Sequence, residues 1–249
     1  MNLLTAGWKN VSLIDVYGYT SFTIWTCSCN LRCPFCHNYR LAEKDPSLCR
    51  EINIGKIVEE LETSKHLVDY LHVTGGEPLL QHRALGELYR EAGSMGIKRS
   101  LNSNLTLPSQ LRYLLEEDLV DHVATDLKIP PIDLYGLNPN IVEIYWRRFL
   151  ESLDLVREHG VKLELRIPVS RKLTPGVLEK YINEVENKLN VNNTLVLLNP
   201  LLGEPYVKPR NPAWCRENCN VSENEVRTLV DILKSKGFSK IVIKTIPGL

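Results

Sequence analysis

Short apolar runs rich in β-branched residues alternate along the chain with longer segments whose apolar positions recur every third or fourth residue. The first pattern predicts strands and the second amphipathic helices. Strands are expected at residues 21–26, 70–74, 98–101, about 120–127, 162–169, 194–198 and 240–246. Helices are expected at 55–66, 82–95, from Pro108 and Ser109 onward, at 141–159, at 175–189, and after a cap near Ser222. The punctuation agrees. Proline is tolerated in a first helical turn, serine favours caps, and Gly160 stands where the 141–159 helix should stop.

A β-α unit repeated about six times winds, through right-handed crossovers, into a parallel barrel or open sheet. About six units are too few for the eight of a full barrel. The expected fold is therefore α/β, a partial (β/α)6 barrel with a short N-terminal extension and a C-terminal strand. In such folds chemistry collects at the C-terminal ends of the strands. Those ends carry a cysteine cluster, Thr74-Gly75-Gly76-Glu77-Pro78, Asn102-Ser103-Asn104, Asp126-Leu127-Lys128 and Arg166.

Composition narrows the class. A chain of 249 residues, 43% hydrophobic and 24% charged, suffices for one barrel-like core. One domain is expected over 1–249, with a core at about 18–200 and a cysteine-containing extension at about 201–249. Lys plus Arg (30) equals Asp plus Glu (30), so no global basic field favours nucleic acid, although a local patch remains open. No apolar stretch approaches the ~18 residues of a membrane span, and residues 1–10 lack a signal-peptide pattern. A cytoplasmic protein without membrane association is expected.

Cys29, Cys33 and Cys36 lie in C-N-L-R-C-P-F-C. Seven cysteines, an odd and sparse set, point to metal or redox use over a disulfide scaffold. Three thiolates so spaced can reach three corners of one iron–sulfur cube and leave its fourth iron without a protein ligand. Zinc is the rival, since His37 completes a Cys3His set and spacing does not fix the metal. Cys215 and Cys219, four apart in a Pro-rich stretch, can ligate a second metal with Cys27 or Cys49, or stand as buried or redox-labile thiols.

The cysteine motif with Phe35 inside it, followed one unit later by G-G-E-P, resembles the radical S-adenosylmethionine (SAM) superfamily. The longer strings Cys29 to Asn38, V-T-G-G-E-P-L-L-Q and L-V-D-H-V-A-T-D-L-K resemble activating enzymes of glycyl-radical proteins. Activators of anaerobic ribonucleoside-triphosphate reductase are nearest in pattern, with pyruvate formate-lyase activators as relatives. The likeness covers about residues 11–200. It implies a [4Fe-4S] cluster on Cys29, Cys33 and Cys36, with SAM chelating the fourth iron. It further implies reductive cleavage of SAM to a 5′-deoxyadenosyl radical, a glycyl-radical protein as partner, and a low-potential electron donor of flavodoxin or ferredoxin type.

On this likeness Gly75 and Gly76 would present carbonyls to the methionine ammonium, with Glu77 holding that turn; the plain alternative is a tight turn after a strand. Phe35 would contact the adenine or be a core aromatic, and His37 would meet the cofactor or be structural. Asp126 and Lys128, one residue apart, would share the interior face near cofactor and substrate mouth, or form a structural ion pair. Arg166 would fork onto the cofactor carboxylate. Where related activators carry D-T-N-G, this chain has Asn102-Ser103-Asn104-Leu105, so Asn102 and Asn104 would supply hydrogen bonds without the carboxylate. Radical modification of a small molecule, peptide or RNA base, and a non-catalytic zinc module, are the competing functions.

Overall fold

The computed structural model describes residues 1–244. Its strands are β1 (Asn2–Val16), β2 (Tyr19–Thr26), β3 (Arg50–Asn53), β4 (Tyr70–Gly75), β5 (Lys98–Asn102), β6 (His122–Asp126), β7 (Lys162–Val169), β8 (Leu195–Pro200) and β9 (Ile241–Ile243). Among the described residues these form one sheet in the order β3-β1-β2-β4-β5-β6-β7-β8-β9. From β2 through β9 every neighbour is parallel, while β1 pairs antiparallel with β2 and β3. β3 and β9 end the order unpaired to each other, so the barrel is partial and open, as the sequence implied.

The period of two along each strand separates two environments. Leu71 and Val73, Leu101, Val123, Leu165 and Ile167, and Val196 and Leu198 are buried in the main hydrophobic core. Each such side chain contributes about 1.5–3 kcal/mol through burial. The helices that cover this face are amphipathic. In Ile54–Ser64, for instance, Ile54, Ile57 and Leu61 form the buried stripe, and the Asn53 side chain caps the helix by accepting from Gly55 N–H at 2.9 Å.

The opposite, concave face is polar. Thr23, His72, Ser100 and His122 stand in register across β2, β4, β5 and β6. Ser100 Oγ lies 2.8 Å from Nδ1 of both His72 and His122. On β7, Glu164 is buried and accepts from Arg166 Nε at 2.6 Å. The end of the β1–β2 hairpin reaches this strand: Arg166 Nη2 donates to the Asp15 carbonyl at 2.8 Å, and Tyr17 N–H donates to Glu164 Oε2 at 3.3 Å.

Several expectations need correction. The N-terminal extension is a 15-residue strand, and β3 was not expected at all. Register shifts between Thr5 and Gly7, Lys9 and Ser12, and Ser12 and Val16 interrupt the alternation that would reveal β1 in the sequence. The helix Pro108–Glu116 has Leu107 at its N-cap with no side-chain cap, so Ser109 does not cap it. Ser222 does cap Glu223–Ser235, in a capping box with Glu225. The expected strand at 240–246 is described as Ile241–Ile243, and residues 245 and 246 lie outside the described residues.

Candidate active site

The cysteine loop follows β2 and is clamped from three sides. Gly76 N–H donates to the Thr26 carbonyl at 2.8 Å and Glu77 N–H to the Ser28 carbonyl at 2.7 Å, which ties the turn after β4 to the loop. Arg32 N–H donates to the Tyr135 carbonyl at 2.9 Å. From the C-terminal region, Arg210 N–H donates to the Cys36 carbonyl at 3.2 Å and Asn211 N–H to the Pro34 carbonyl at 2.9 Å. Backbone bonds of this kind hold a loop without constraining its side chains, so the thiols are free to face inward.

They do so at one wall of a cavity of about 510 Å3 that Cys29, Cys33 and Cys36 line together with Gly75 and Gly76. Burial pushes the Cys29 thiol up to about 11 and the Cys33 thiol up to about 12, and raises Cys36 as well. Without a metal these groups are neutral at pH 7, and metal binding must displace their protons. Cys29 Sγ accepts from Leu31 N–H at 3.4 Å and lies 3.8 Å from Asn104 Nδ2, contacts that favour a ligating thiolate.

The donor set fits an iron–sulfur cube better than zinc. His37 Nε2 donates to the Leu202 carbonyl at 3.3 Å and is engaged there. Among the described residues, no three His, Cys, Asp or Glu side chains are grouped to hold a single metal ion. Three soft thiols on a cavity wall with no fourth protein ligand match a cluster that keeps one iron open.

The second metal centre considered for Cys215 and Cys219 is not built. These two sulfurs are bonded to each other, Cys215 on the helix Pro212–Asn218 and Cys219 at its C-cap, and Cys27 is bonded to Cys49. The cause of the latter pairing is β1: Cys27 N–H donates to Leu4 O at 3.0 Å, and Arg50, next to Cys49, pairs with Thr5. The strand that the sequence concealed is what brings these sulfurs together.

Across the cavity, Lys128 Nζ donates to Asp126 Oδ2 at 2.9 Å, and both side chains line the space. Burial alone would raise the Asp126 carboxyl, but Lys128, Arg166 and Lys244 outweigh it and hold it below the usual range. Burial likewise opposes the Lys128 ammonium, yet Asp126 and the thiols leave its pKa raised. Arg166 lines the cavity, but its fork is already occupied by Glu164 and the Asp15 carbonyl. With its amide oriented to satisfy its neighbours, Asn102 donates to the Ala124 carbonyl and accepts from Thr74 Oγ1 at 2.9 Å and Arg166 Nη1 at 3.2 Å. The expected free fork of Arg166 onto the cofactor carboxylate is thus engaged within the protein.

Glu77 is fully buried beneath the wall. Its carboxylate accepts from Leu79 N–H at 3.0 Å, Ser103 Oγ at 2.8 Å and Asn104 N–H at 2.7 Å, while burial keeps its pKa raised. It joins the turn after β4 to the loop after β5. Asn104 in turn donates to Asn30 Oδ1 at 2.8 Å, so the missing carboxylate of this loop is replaced by an amide network reaching the cysteine loop. Phe35 lines the cavity and packs at 6.3 Å, tilted, on Trp214.

Sequence reasoning missed Asn30, Asp15, Asn199, Arg210 and Lys244. Asp15, Asn199, Arg210 and Lys244 line the cavity. Arg210 carried no motif signal, Asn30 stood inside the cysteine motif without a role of its own, and Asp15 lay on the concealed strand.

The fold and the site together define a partial-barrel protein that offers three clustered thiols to an open cavity at the ends of parallel strands. The chain belongs to the radical SAM superfamily, whose pattern matches residues 23–185. That membership implies a [4Fe-4S] cluster and SAM. A Methanocaldococcus jannaschii protein named as a candidate glycyl-radical enzyme activating enzyme is 28% identical over 254 residues, covering 100% of this chain and 98% of that protein. The 7-carboxy-7-deazaguanine synthase of Hyperthermus butylicus is 31% identical over 191 residues, 69% of this chain and 77% of its own. A pyruvate formate-lyase-activating enzyme of Staphylococcus aureus is 33% identical over 90 residues, 33% of this chain and 34% of its own. Among solved structures, a radical SAM methyltransferase from Sphaerobacter thermophilus has a TM-score of 0.63 at 17% identity, covering 94% of this chain and 68% of that one. Among the described residues, no helix is long and apolar enough to cross a membrane.

Proposed function

We propose that this radical SAM enzyme generates a glycyl radical on a partner protein, of the kind served by activators of anaerobic ribonucleotide reductase. The observation that carries the reading is likeness along the whole chain to the M. jannaschii activating-enzyme candidate, with 98% of that protein covered. The S. aureus activase likeness over 90 residues supports it.

In this reading Cys29, Cys33 and Cys36 hold the cluster through three irons. When bound, cluster and SAM supply a one-electron cleavage that delivers a hydrogen-abstracting 5′-deoxyadenosyl group. The chain's own groups bind and orient. The backbone of Gly75 and Gly76 would meet the methionine end and Phe35 would flank the adenine, while Asn102, Asn104 and His37, held by Thr74 and Arg166, by Asn30 and by the Leu202 carbonyl, would shape the walls around the cofactor. Glu77 acts from beneath by fixing two loops. Arg166 fixes Asn102 and the hairpin end. Asp126 and Lys128 keep one negative and one positive charge at the mouth, where a glycine-bearing segment would enter. Residues 1–249 act as one domain in the cytoplasm, with a flavodoxin or ferredoxin as electron source.

The test is anaerobic incubation of the reconstituted protein with SAM, reductant and an anaerobic ribonucleotide reductase, followed by electron paramagnetic resonance. A glycyl doublet on the partner is expected; SAM cleavage without any doublet would count against the activase role. The synthase likeness over 191 residues favours a second reading, radical chemistry on a small heterocycle. A deazaguanine-type product formed by the protein, with no doublet on the partner, would favour this second reading.

A further inference from the structure

The polar side chains of the cavity are mostly committed to partners within the chain. Lys128 pairs with Asp126, Arg166 with Glu164, Asn104 with Asn30, and Arg210 with Glu43. Two are not. Asn199, near the end of β8, lines the cavity, and its Oδ1 is buried without a hydrogen-bond partner. Lys244, directly after β9, also lines it, and among the described residues its ammonium has no ion-pair partner.

The two residues are neighbours. Leu198 pairs with Ile243, and Lys244 N–H donates to the Leu198 carbonyl at 2.9 Å, so Asn199 and Lys244 sit side by side on adjacent strands. The period of two turns both toward the concave face. They therefore face the cavity from the β8–β9 end of the sheet, whereas the cysteines enter it after β2.

A buried polar atom without a partner calls for a group that completes it. An ammonium has three donors and a carboxamide adds its own N–H, so the pair can place several donors on one acceptor and still satisfy Asn199 Oδ1 from the ammonium. Lys244, which acts on Asp126 only across the cavity and has no ion-pair contact of its own among the described residues, matches one negative charge. A phosphate would bring more charge than the pair can meet, in a cavity that Asp15 and Asp126 also line. We propose that Asn199 and Lys244 form a subsite for a carboxylate of the substrate. The proposal rests on reading this cavity as the place where substrate meets SAM. The carboxylate can belong to an acidic side chain beside the target glycine of a protein, or to a small acid.

Calorimetry on the anaerobic holoprotein with SAM bound distinguishes these sources. The probes are acetyl-Gly-Asp-Gly amide against its Asn counterpart, and quinoline-2-carboxylate against its carboxamide. One acid is expected to bind about tenfold or more tightly than its amide, since a hydrogen bond to a charged group is worth at least that factor. Which acid shows the preference names the source. The preference should vanish in Lys244→Gln and Asn199→Ala and survive in Lys244→Arg. No binding of either acid, equal binding of acid and amide, or a preference retained in Lys244→Gln overturns the proposal. So does an equal loss of SAM affinity in Lys244→Gln, which would assign the pair to the cofactor's own carboxylate. The radical assay on the partner protein is a separate readout, so the activase reading and the subsite can fail independently.

Discussion

A Cβ placed on Gly76 would lie 2.0 Å from the carbonyl oxygen of Ser28, one residue before the first cluster cysteine. The glycine pair was expected to make room for a ligand; it also makes room for the cysteine loop itself. Gly75 adds a positive φ of 103°, and its Cβ would meet the Thr26 carbonyl at 2.6 Å. Backbone cannot step aside as a flexible side chain can. Gly76→Ala should therefore displace Ser28 and the thiols that follow. Overpacking of this kind costs about 1–3 kcal/mol. Iron and sulfide per chain after anaerobic reconstitution should fall well below wild type, and a variant that loads normally would refute this account of the turn.

The Cys27–Cys49 bond encloses the cysteine loop within a sequence separation of 22. On the chain-entropy view, removing a cross-link of that span costs about 3 kcal/mol. A Cys27→Ser, Cys49→Ser double variant should lower the urea midpoint accordingly while keeping iron per chain unchanged, because neither sulfur faces the cavity. The Cys215→Ala, Cys219→Ala double variant should also retain full iron. Loss of iron in that variant would restore the second metal centre that the structure replaces with a disulfide.

The buried histidines set a pH dependence. His122 is pushed down to about 4, first by burial and then by Arg166 and Lys162, although Glu164 at 3.8 Å works the other way. Burial dominates because the ring lies against Tyr70 and Ser100 in the barrel interior. His72 is also lowered, by burial and then by Arg166 and His122. The folded form of each binds its proton more weakly than the unfolded chain does. Their contribution is thus complete above the ordinary histidine value of 6.5 and is lost as pH falls below it, for His122 toward 4. For His122 alone the span corresponds to about 3 kcal/mol. Urea unfolding at pH 7 and pH 5 should show the decline, and His122→Gln should make it shallower. Equal slopes in the two proteins would argue against a neutral buried imidazole.

Much of this arrangement is legible in the sequence because strand ends concentrate polar residues that a core would not hold. The parallel strands, the cysteine loop, Gly75-Gly76, Asp126-Lys128 and Arg166 all announce themselves by breaking an apolar run. What stays hidden depends on distant backbone. β1 is masked by its register shifts, and with it the Cys27–Cys49 pairing and the contact of Asp15 with Arg166. Arg166 illustrates the limit: its position is readable from the alternation on β7, but the partners that occupy its guanidinium come from β1, β5 and its own strand. Lys244 and Asn199 belong to no motif, and only the parallel register of β8 and β9 sets them side by side.

The Asp126–Lys128 pair offers the sharpest test of how the cavity keeps its charges. Lys128 is only 8% exposed, and its ammonium is the first cation that offsets the burial of Asp126. Removing one partner leaves the other partly uncompensated, and because Asp126 is 30% exposed the cost falls below the ~3–5 kcal/mol of a fully buried pair. Lys128→Met should therefore destabilise the fold and raise the Asp126 pKa, since Arg166 and Lys244 remain but the nearest donor is gone. Asp126→Asn strands the ammonium beside protonated thiols, and should lower the Lys128 pKa from its raised value. The double variant, with neither charge, should recover most of the stability lost in either single variant. Urea midpoints for the four proteins form a cycle that reads the coupling directly. A coupling near zero would mean that the two groups are solvated independently and that the pair is not what holds charge at this wall.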